Sequence, residues 1–91
     1  MKTLATFQTQ QLEVFPNRMR LARVDSSKNM RRFYALTVQP DLFGGASLVR
    51  EWGRIGSPGQ MRIEHHPDEG HAINALVDLV AAKRKRGYHY A

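Results

Sequence analysis

The clearest pattern along the chain is an alternation of residue types between positions 32 and 39, which predicts a β-strand. Aromatic and β-branched residues dominate this segment, as is typical of strands. One face carries Phe33, Ala35 and Thr37, and the other carries Tyr34, Leu36 and Val38.

Three further segments of the chain also alternate. On the N-terminal side of residues 32–39, Met19, Leu21 and Arg23 share one face of a possible strand, and a polar loop follows at residues 25–29. After the turn at residues 40–45, alternation resumes from Ser47 to Ile55. Its two faces carry Val49 and Ile55 on one side and Leu48, Arg50, Trp52 and Arg54 on the other.

The last strand of this meander follows a second turn. Residues 56–59, Gly-Ser-Pro-Gly, have the composition of a turn, and the chain then returns between Gln60 and Glu64. We expect Met61 and Ile63 to point into the core.

The C-terminal third of the chain has the period of an amphipathic helix. Ile73, Leu76, Val77 and Val80 fall at i, i+3, i+4 and i+7, with Ala72 and Leu79 at the margin of this stripe. Pro67-Asp68-Glu69 has the residue types of a helix start, whereas the bases at residues 83–86 and Gly87 are typical of a helix end.

An amphipathic helix must bury its apolar stripe, and one face of the sheet is the surface available to it. We therefore predict an α+β fold, in which a small antiparallel β-sheet of about four to five strands carries one α-helix on one face. Residues 1–17, rich in Gln and Thr, are expected to form an N-terminal arm or an edge strand, and residues 18–91 the domain itself. A chain of 91 residues that is 42% hydrophobic fits one such domain.

The charge of the chain is concentrated in two basic blocks. The formal net charge is +6, with 14 basic and 8 acidic residues. Residues 18–32 carry a net +5 and residues 83–86, Lys-Arg-Lys-Arg, carry +4, so the remainder of the chain is acidic. Such blocks are either solvated surface or, where the fold brings them together, a surface for a polyanion.

The composition also narrows the classes of protein to consider. The chain has no cysteine, which excludes a disulfide framework, a cysteine-ligated zinc site and a cysteine nucleophile. The N-terminus turns polar at Gln8 before a signal-peptide core can form, and the longest apolar run is interrupted by Asp78. We expect a soluble cytoplasmic protein that does not contact a membrane.

The tripeptide Trp52-Gly53-Arg54 is the segment with the most distinctive chemistry. A tryptophan flanked on its strand face by Arg50 and Arg54 offers a flat stacking surface between two guanidinium groups, which suits a sugar or base with adjacent phosphates. Gly53 leaves the opposite face open to close backbone approach. The local pattern also fits a core tryptophan beside solvated arginines, because tryptophan is highly buried on average.

The surrounding residues resemble the WGR domain, which is named after this tripeptide. Trp52-Gly53-Arg54-Ile55-Gly56 followed by Gly59-Gln60 is similar to the family signature. Asn29-Met30-Arg31-Arg32-Phe33-Tyr34-Ala35-Leu36 is similar to a strand of the family, and the helix containing Ala72 with Lys85-Arg86-Gly87-Tyr88 to its last element. The resemblance covers residues 18–91.

The resemblance implies an antiparallel sheet with one helix and a role in DNA binding. The family occurs beside the catalytic region of DNA-dependent poly(ADP-ribose) polymerases, where it binds DNA near a strand end, and in bacteria as short proteins. The family roles place Trp52 on a terminal sugar and Arg54 at the contact with DNA and neighbouring domains, with Gly53 structural. Glu51 departs from the basic residue that commonly precedes the tryptophan, although alternation places it on the opposite face.

Three binding functions follow from these observations. The first is DNA binding through sugar-phosphate contacts with little sequence specificity. The second is a protein-interaction adaptor that uses the same Trp52 and Arg54 face, favoured by the mixed charges of residues 50–54. The third is binding of single strands or RNA through Trp52, Tyr88 and Tyr90. The predicted nucleic-acid-binding residues are Trp52, Gly53, Arg54, Arg50, Arg31, Arg32, Lys83, Arg84, Lys85 and Arg86.

Neither catalysis nor a cofactor is indicated. The acidic residues are scattered and no nucleophile–base order is evident, so we expect a non-enzymatic protein. His65, His66 and His71 lie near Asp68 and Glu69, but the spacing crosses a helix start and does not place the ligands on one face. We therefore expect exposed or capping residues and no metal.

Overall fold

The structure is a computed structural model that describes residues 17–91. Five strands and one helix follow in the order β1 (Arg18–Asp25), β2 (Met30–Pro40), β3 (Ala46–Arg54), β4 (Gln60–His66), α1 (Glu69–Lys85) and β5 (His89–Tyr90). A single 3₁₀ turn at Ser26–Lys28 joins β1 to β2. The predicted N-terminal arm lies outside the described residues, apart from Asn17.

The five strands form one sheet in the order β4-β3-β2-β1-β5, with every neighbouring pair antiparallel. The helix packs on one face, so the predicted α+β class is confirmed. In the register of the central strands, Tyr34 of β2 lies opposite Leu21 of β1 and opposite Trp52 of β3. Side chains directly opposite each other share a face of the sheet. Leu21, Tyr34 and Trp52 therefore lie on one face, and this is the face that α1 covers.

The hydrophobic core lies between this face and α1. The alternation placed Tyr34, Leu36 and Val38 on one face of the strand, and the structure shows that this face points into the core, together with Leu21 and Leu48. The helix contributes Ala72, Leu76 and Val80, one residue per turn along a single line. This stripe differs from the predicted one: Val77 is exposed, because the buried residues follow a four-residue spacing from Ala72 and Val77 lies about 100° around the helix from Leu76.

The prediction that Met61 and Ile63 point inward is wrong. They lie on the outer face, the sheet face turned away from α1, and are 60% and 52% exposed. The reason is the register, in which Trp52 lies opposite Gln60 and the even-numbered residues of β4 therefore share the helix-covered face. A single helix covers only one face of the sheet.

Both ends of α1 are capped. The Asp68 carboxylate accepts a hydrogen bond from the His71 N–H at 2.8 Å, as an N-cap does. At the other end Gly87, with φ +93°, forms a Schellman motif in which the Gly87 and Tyr88 N–H groups donate to the Arg84 and Lys83 carbonyl oxygens. The motif turns the chain back so that Tyr88 enters the core.

Within residues 17–91, no helix combines the length and the apolar character needed to cross a lipid bilayer.

Candidate functional site

A groove of about 430 Å³ lies at the end of the sheet where β2 begins and β3 ends, beside the C-terminal end of α1. Its lining combines aromatic and basic side chains from all three elements. Among the lining residues are Tyr34, Trp52, Tyr88, Arg32, Arg54 and Lys83.

Stacked aromatic rings line the groove. The rings of Tyr34 and Trp52 are 5.8 Å apart and 15° from parallel, and Tyr88 meets Tyr34 edge-on at 6.5 Å. Tyr34 and Tyr88 are buried, whereas Trp52 is half-buried and packs against the edge of the core. Trp52 thus has features of both a core residue and a stacking surface. One part of its ring packs against the core, and another part lines the groove.

Three arginines lie in a row across three strands. The register places Arg23 of β1 opposite Arg32 of β2, and Arg32 opposite Arg54 of β3, all on the helix-covered face. Within the described residues, no carboxylate lies within 4.0 Å of any of the three guanidinium groups. Like charges directly opposite each other are destabilising. This arginine row is therefore a concentration of positive charge that the fold itself does not neutralise.

The side chains at both ends of the arginine row are held in place. The Arg54 guanidinium donates to the backbone carbonyl oxygen of Asn29 at 3.2 Å and to its side-chain oxygen at 3.3 Å. Asn29 can sit at this turn because it adopts a left-handed conformation with φ +51°. At the other end Arg23 lies against Gly87, where a Cβ atom would be 3.2 Å from its Nε.

Arg23 borders the groove as the neighbour of Arg32 and does not line it, and the sequence-based prediction did not include it. Its alternation with Leu21 was visible, but only the strand register shows that it lies in line with Arg32 and Arg54.

Lys83 brings the second basic block to the groove. Its ammonium group lies 4.4 Å from the centre of the Tyr34 ring and 5.6 Å from that of Tyr88. Burial, followed by repulsion from Arg86, Arg50 and Arg32, lowers the pKa of Lys83 below its usual value. The two basic blocks of the sequence thus meet at one site.

Arg50 is engaged within the protein. Its guanidinium donates to the Tyr34 hydroxyl at 2.7 and 3.0 Å and to the Glu64 carboxylate at 2.6 Å. Burial opposes the charged form, but these hydrogen bonds outweigh it and raise the pKa of Arg50. Arg50 therefore positions the Tyr34 ring beneath Trp52.

The remaining predicted residues lie around the groove. Arg31 is opposite Val24 in the register, on the outer face of the sheet, and it also lines the groove where β2 begins. Arg84, Lys85 and Arg86 are exposed at the C-terminal end of α1, and the Arg84 guanidinium lies 4.7 Å from the centre of the exposed Tyr90 ring. They extend the positive surface beyond the groove.

Gly53 serves the architecture of the site. A Cβ atom at this position would lie 2.7 Å from the Cα atom of Gly59, so the turn after β3 closes tightly over the end of the strand. Gly59 itself has φ +74°, and a Cβ atom there would collide with the Trp52 carbonyl oxygen. The two glycines thereby fix the backbone on both sides of Trp52.

The histidines lie away from the groove. His65 Nδ1 is 2.8 Å from the Asp41 carboxylate, and His71 Nδ1 is 2.8 Å from Asp68. The N–H of Phe43 and then the His65 side chain lower the pKa of Asp41. In the part of the chain that the structure describes, no three metal-binding side chains cluster.

The sequence and the fold are both similar to those of known proteins. The sequence matches the WGR domain family over residues 17–91. It is 48% identical over 73 residues to the uncharacterized protein y4dW of Sinorhizobium fredii, across 80% of this chain and 36% of that protein. The fold is similar to that of a Bacteroides fragilis protein solved by crystallography, with a TM-score of 0.69 and 23% identity, across 81% of this chain and 19% of that one. This chain thus spans a minor part of both relatives.

Proposed function

Because the chain belongs to the WGR domain family, we propose that it binds DNA through sugar-phosphate contacts with little sequence specificity. The proposal extends to this chain a general property of the family, and the groove beside Trp52 is the surface to which we assign it.

The observation that carries the proposal is the arginine row beside Trp52. Three guanidinium groups lie in a row, Lys83 lies close enough to Arg32 to be repelled by it, and no carboxylate of the described residues lies within 4.0 Å of the row, which favours a ligand with several negative charges. The half-buried Trp52 ring adds a flat surface on which a sugar or base can stack. A nucleic-acid backbone provides both features at a regular spacing.

Each residue of the site takes a definite role in this proposal. Trp52 stacks on a sugar, while Arg23, Arg32 and Arg54 contact phosphates. Lys83 adds charge at the base of the groove. Arg50 positions Tyr34 and Gly53 permits the tight turn, so neither needs to touch DNA. Arg31, which also lines the groove, adds charge at the start of β2, and the bases at residues 84–86 provide longer-range attraction.

The structure weakens the observations that favoured the two alternatives. The adaptor interpretation rested on mixed charges at residues 50–54, but Glu51 lies opposite Ala35 on the outer face and does not share a surface with Trp52. The single-strand interpretation rested on three aromatic residues, of which Tyr88 is buried in the core. Duplex DNA therefore remains the ligand we propose.

Fluorescence anisotropy of a labelled, 5′-phosphorylated duplex tests this function. If about four to six phosphates are neutralised, log affinity falls with log salt with a slope of about −4 to −5. Arg54→Ala and Trp52→Ala should weaken binding while the protein stays folded. Arg18→Ala is the matched control, because it removes the same charge at the opposite end of β1, across from Thr37.

The anisotropy measurements distinguish binding in the groove from attraction by net charge and from no binding. Salt-sensitive binding that Arg54→Ala reduces far more than Arg18→Ala supports the groove as the DNA site. Equal losses in the two variants would show attraction by net charge alone. Absence of binding at micromolar protein and low salt would refute the proposal. Co-purified proteins that persist after nuclease treatment would then favour the adaptor function.

A further inference from the structure

The sheet has an unpaired edge in β4. Within residues 17–91, β4 pairs with β3 on one side and with no strand on the other, whereas the opposite edge of the sheet ends in the two-residue β5. An exposed strand edge presents unpaired N–H and C=O groups, which form a template for a further strand. β4 spans seven residues, long enough to support a regular ladder.

The sequence of β4 is complementary to itself when two copies run antiparallel. With Ile63 opposite Ile63 of a second copy, Arg62 lies opposite Glu64 of that copy and Glu64 opposite its Arg62. Opposite charges on directly opposed residues stabilise a strand pair. The two charge pairs fall on the helix-covered face, and the two Ile63 side chains meet on the outer face.

Within one copy, Arg62 has no close ion pair with a carboxylate among the described residues. Its cross-strand neighbour is Arg50, a like charge, and its Nε is 3.9 Å from the Glu64 carboxylate. Arg50 holds that carboxylate through Oε2 at 2.6 Å, whereas Oε1 lies 3.9 Å from His66 Nε2, so Oε1 of a second copy's Glu64 can accept from Arg62. The exposed Met61 and Ile63 side chains would also lose water contact against a second copy.

We propose that the chain forms a symmetric dimer by antiparallel pairing of β4 with β4 of a second copy, centred on Ile63. The dimer has one continuous ten-stranded sheet. The helix α1 packs more on β2 and β3 than on β4, so the two helices of the dimer lie on the same face, each set back from the new junction. The two grooves described above also face the same side. The dimer depends only on β4 and stands whether or not the groove binds DNA.

Analytical ultracentrifugation of the full chain, without DNA, tests the dimer. A small interface gives a weak dimer, so the protein is measured from about 10 to about 500 µM. We expect the weight-average mass to rise from the 10.4 kDa of one chain towards twice that value. A mass that stays at one chain throughout this range would overturn the proposal.

Arg62→Glu tests the pairing itself. Within one copy the substitution places an acid opposite Arg50, so it does not endanger the fold, but between copies it opposes two acids. It should abolish the rise in mass. Arg18→Glu makes the same change in charge away from β4 and should leave the dimer intact. Equal behaviour of the two variants would contradict the proposal.

Cysteine cross-linking provides a second readout, since the chain has no cysteine of its own. Ile63→Cys places two thiols directly opposite each other and should give a covalent dimer under mild oxidation. Val24→Cys is the control, because Val24 lies on the same outer face, is similarly exposed at 57%, and belongs to β1. Equal cross-linking of the two variants, or none in Ile63→Cys, would refute the pairing.

Discussion

Replacing the central arginine of the row, Arg32→Gln, should make the protein more stable and a weaker DNA binder. Arg32 lies opposite Arg23 on one side and Arg54 on the other, so the substitution relieves two repulsive cross-strand pairs. Cross-strand pairs contribute about 0.2–1 kcal/mol each. Because Arg32 and Arg54 are exposed to water and salt and Arg23 is half-buried, the lower part of that range applies, and the expected gain is about 0.5–1 kcal/mol in total.

Thermal unfolding followed by circular dichroism measures this gain. For a domain of this size 1 kcal/mol corresponds to about 4–8 °C in Tm, so Arg32→Gln should raise Tm by about 2–8 °C at low salt. The gain should shrink as salt is added, because salt screens the repulsion. Arg18→Gln, whose cross-strand neighbour is Thr37, removes a charge without relieving such a pair and should leave Tm nearly unchanged.

DNA binding by the same variant provides the other half of the prediction. Loss of one phosphate contact should reduce the magnitude of the salt slope by about 0.9. A lowered Tm for Arg32→Gln, or a rise equal to that of Arg18→Gln, would refute the reasoning that the row is held together against its own repulsion. Unchanged affinity would refute its role in binding.

Three further predictions concern the turn, the helix and Lys83. Gly53→Ala should lower the free energy of unfolding by about 1–3 kcal/mol, because the added methyl group overlaps the turn at Gly59. Chemical denaturation measures this loss. Gly70→Ala within α1 is the control and should leave the free energy of unfolding nearly unchanged. Hydrogen bonds from the His71 N–H and side chain lower the pKa of Asp68 in the folded protein. The ionised Asp68 therefore stabilises the fold above the unfolded pKa near 3.9, and this stabilisation is lost as pH falls through the folded pKa. Asp68→Asn should flatten this part of an acid titration followed by circular dichroism. Because its pKa is lowered, Lys83 loses its charge at a pH below the usual lysine pKa near 10.4. DNA affinity measured by anisotropy should therefore begin to fall below that pH as the pH rises. Lys83→Arg should move this fall in affinity to higher pH. A fall at the same pH in both proteins would contradict the role of Lys83.

The local patterns of the sequence predicted the elements well because each depends on neighbouring residues. The alternation from Phe33 to Val38 assigned the two faces of β2 correctly, and the residues around α1 predicted its caps. The faces of β4 could not be predicted in the same way. The turn that contains Gly59 sets the register of β4, and a shift by one residue exchanges the two faces, as it does for Ile63.

The site shows the same division between local and long-range information. Trp52, Arg54 and the basic blocks were visible as residue types, and the resemblance to a family predicted their importance. The arginine row was not visible, since the alignment of Arg23 with Arg32 and Arg54 depends on two hairpin registers at once. The engagement of Arg50 with Tyr34 and Glu64 likewise requires three strands to be in place.

DNA that binds in the groove beside Trp52 must change the surroundings of the indole ring, so the fluorescence of this residue reports whether DNA occupies the proposed site. Trp52 is the only tryptophan in the chain, so its emission reports on this groove alone. Titration with an unlabelled, 5′-phosphorylated duplex should change the emission, saturate where anisotropy saturates, and reverse on addition of salt. Binding detected by anisotropy without any change in Trp52 emission would place the DNA elsewhere and contradict the proposed site.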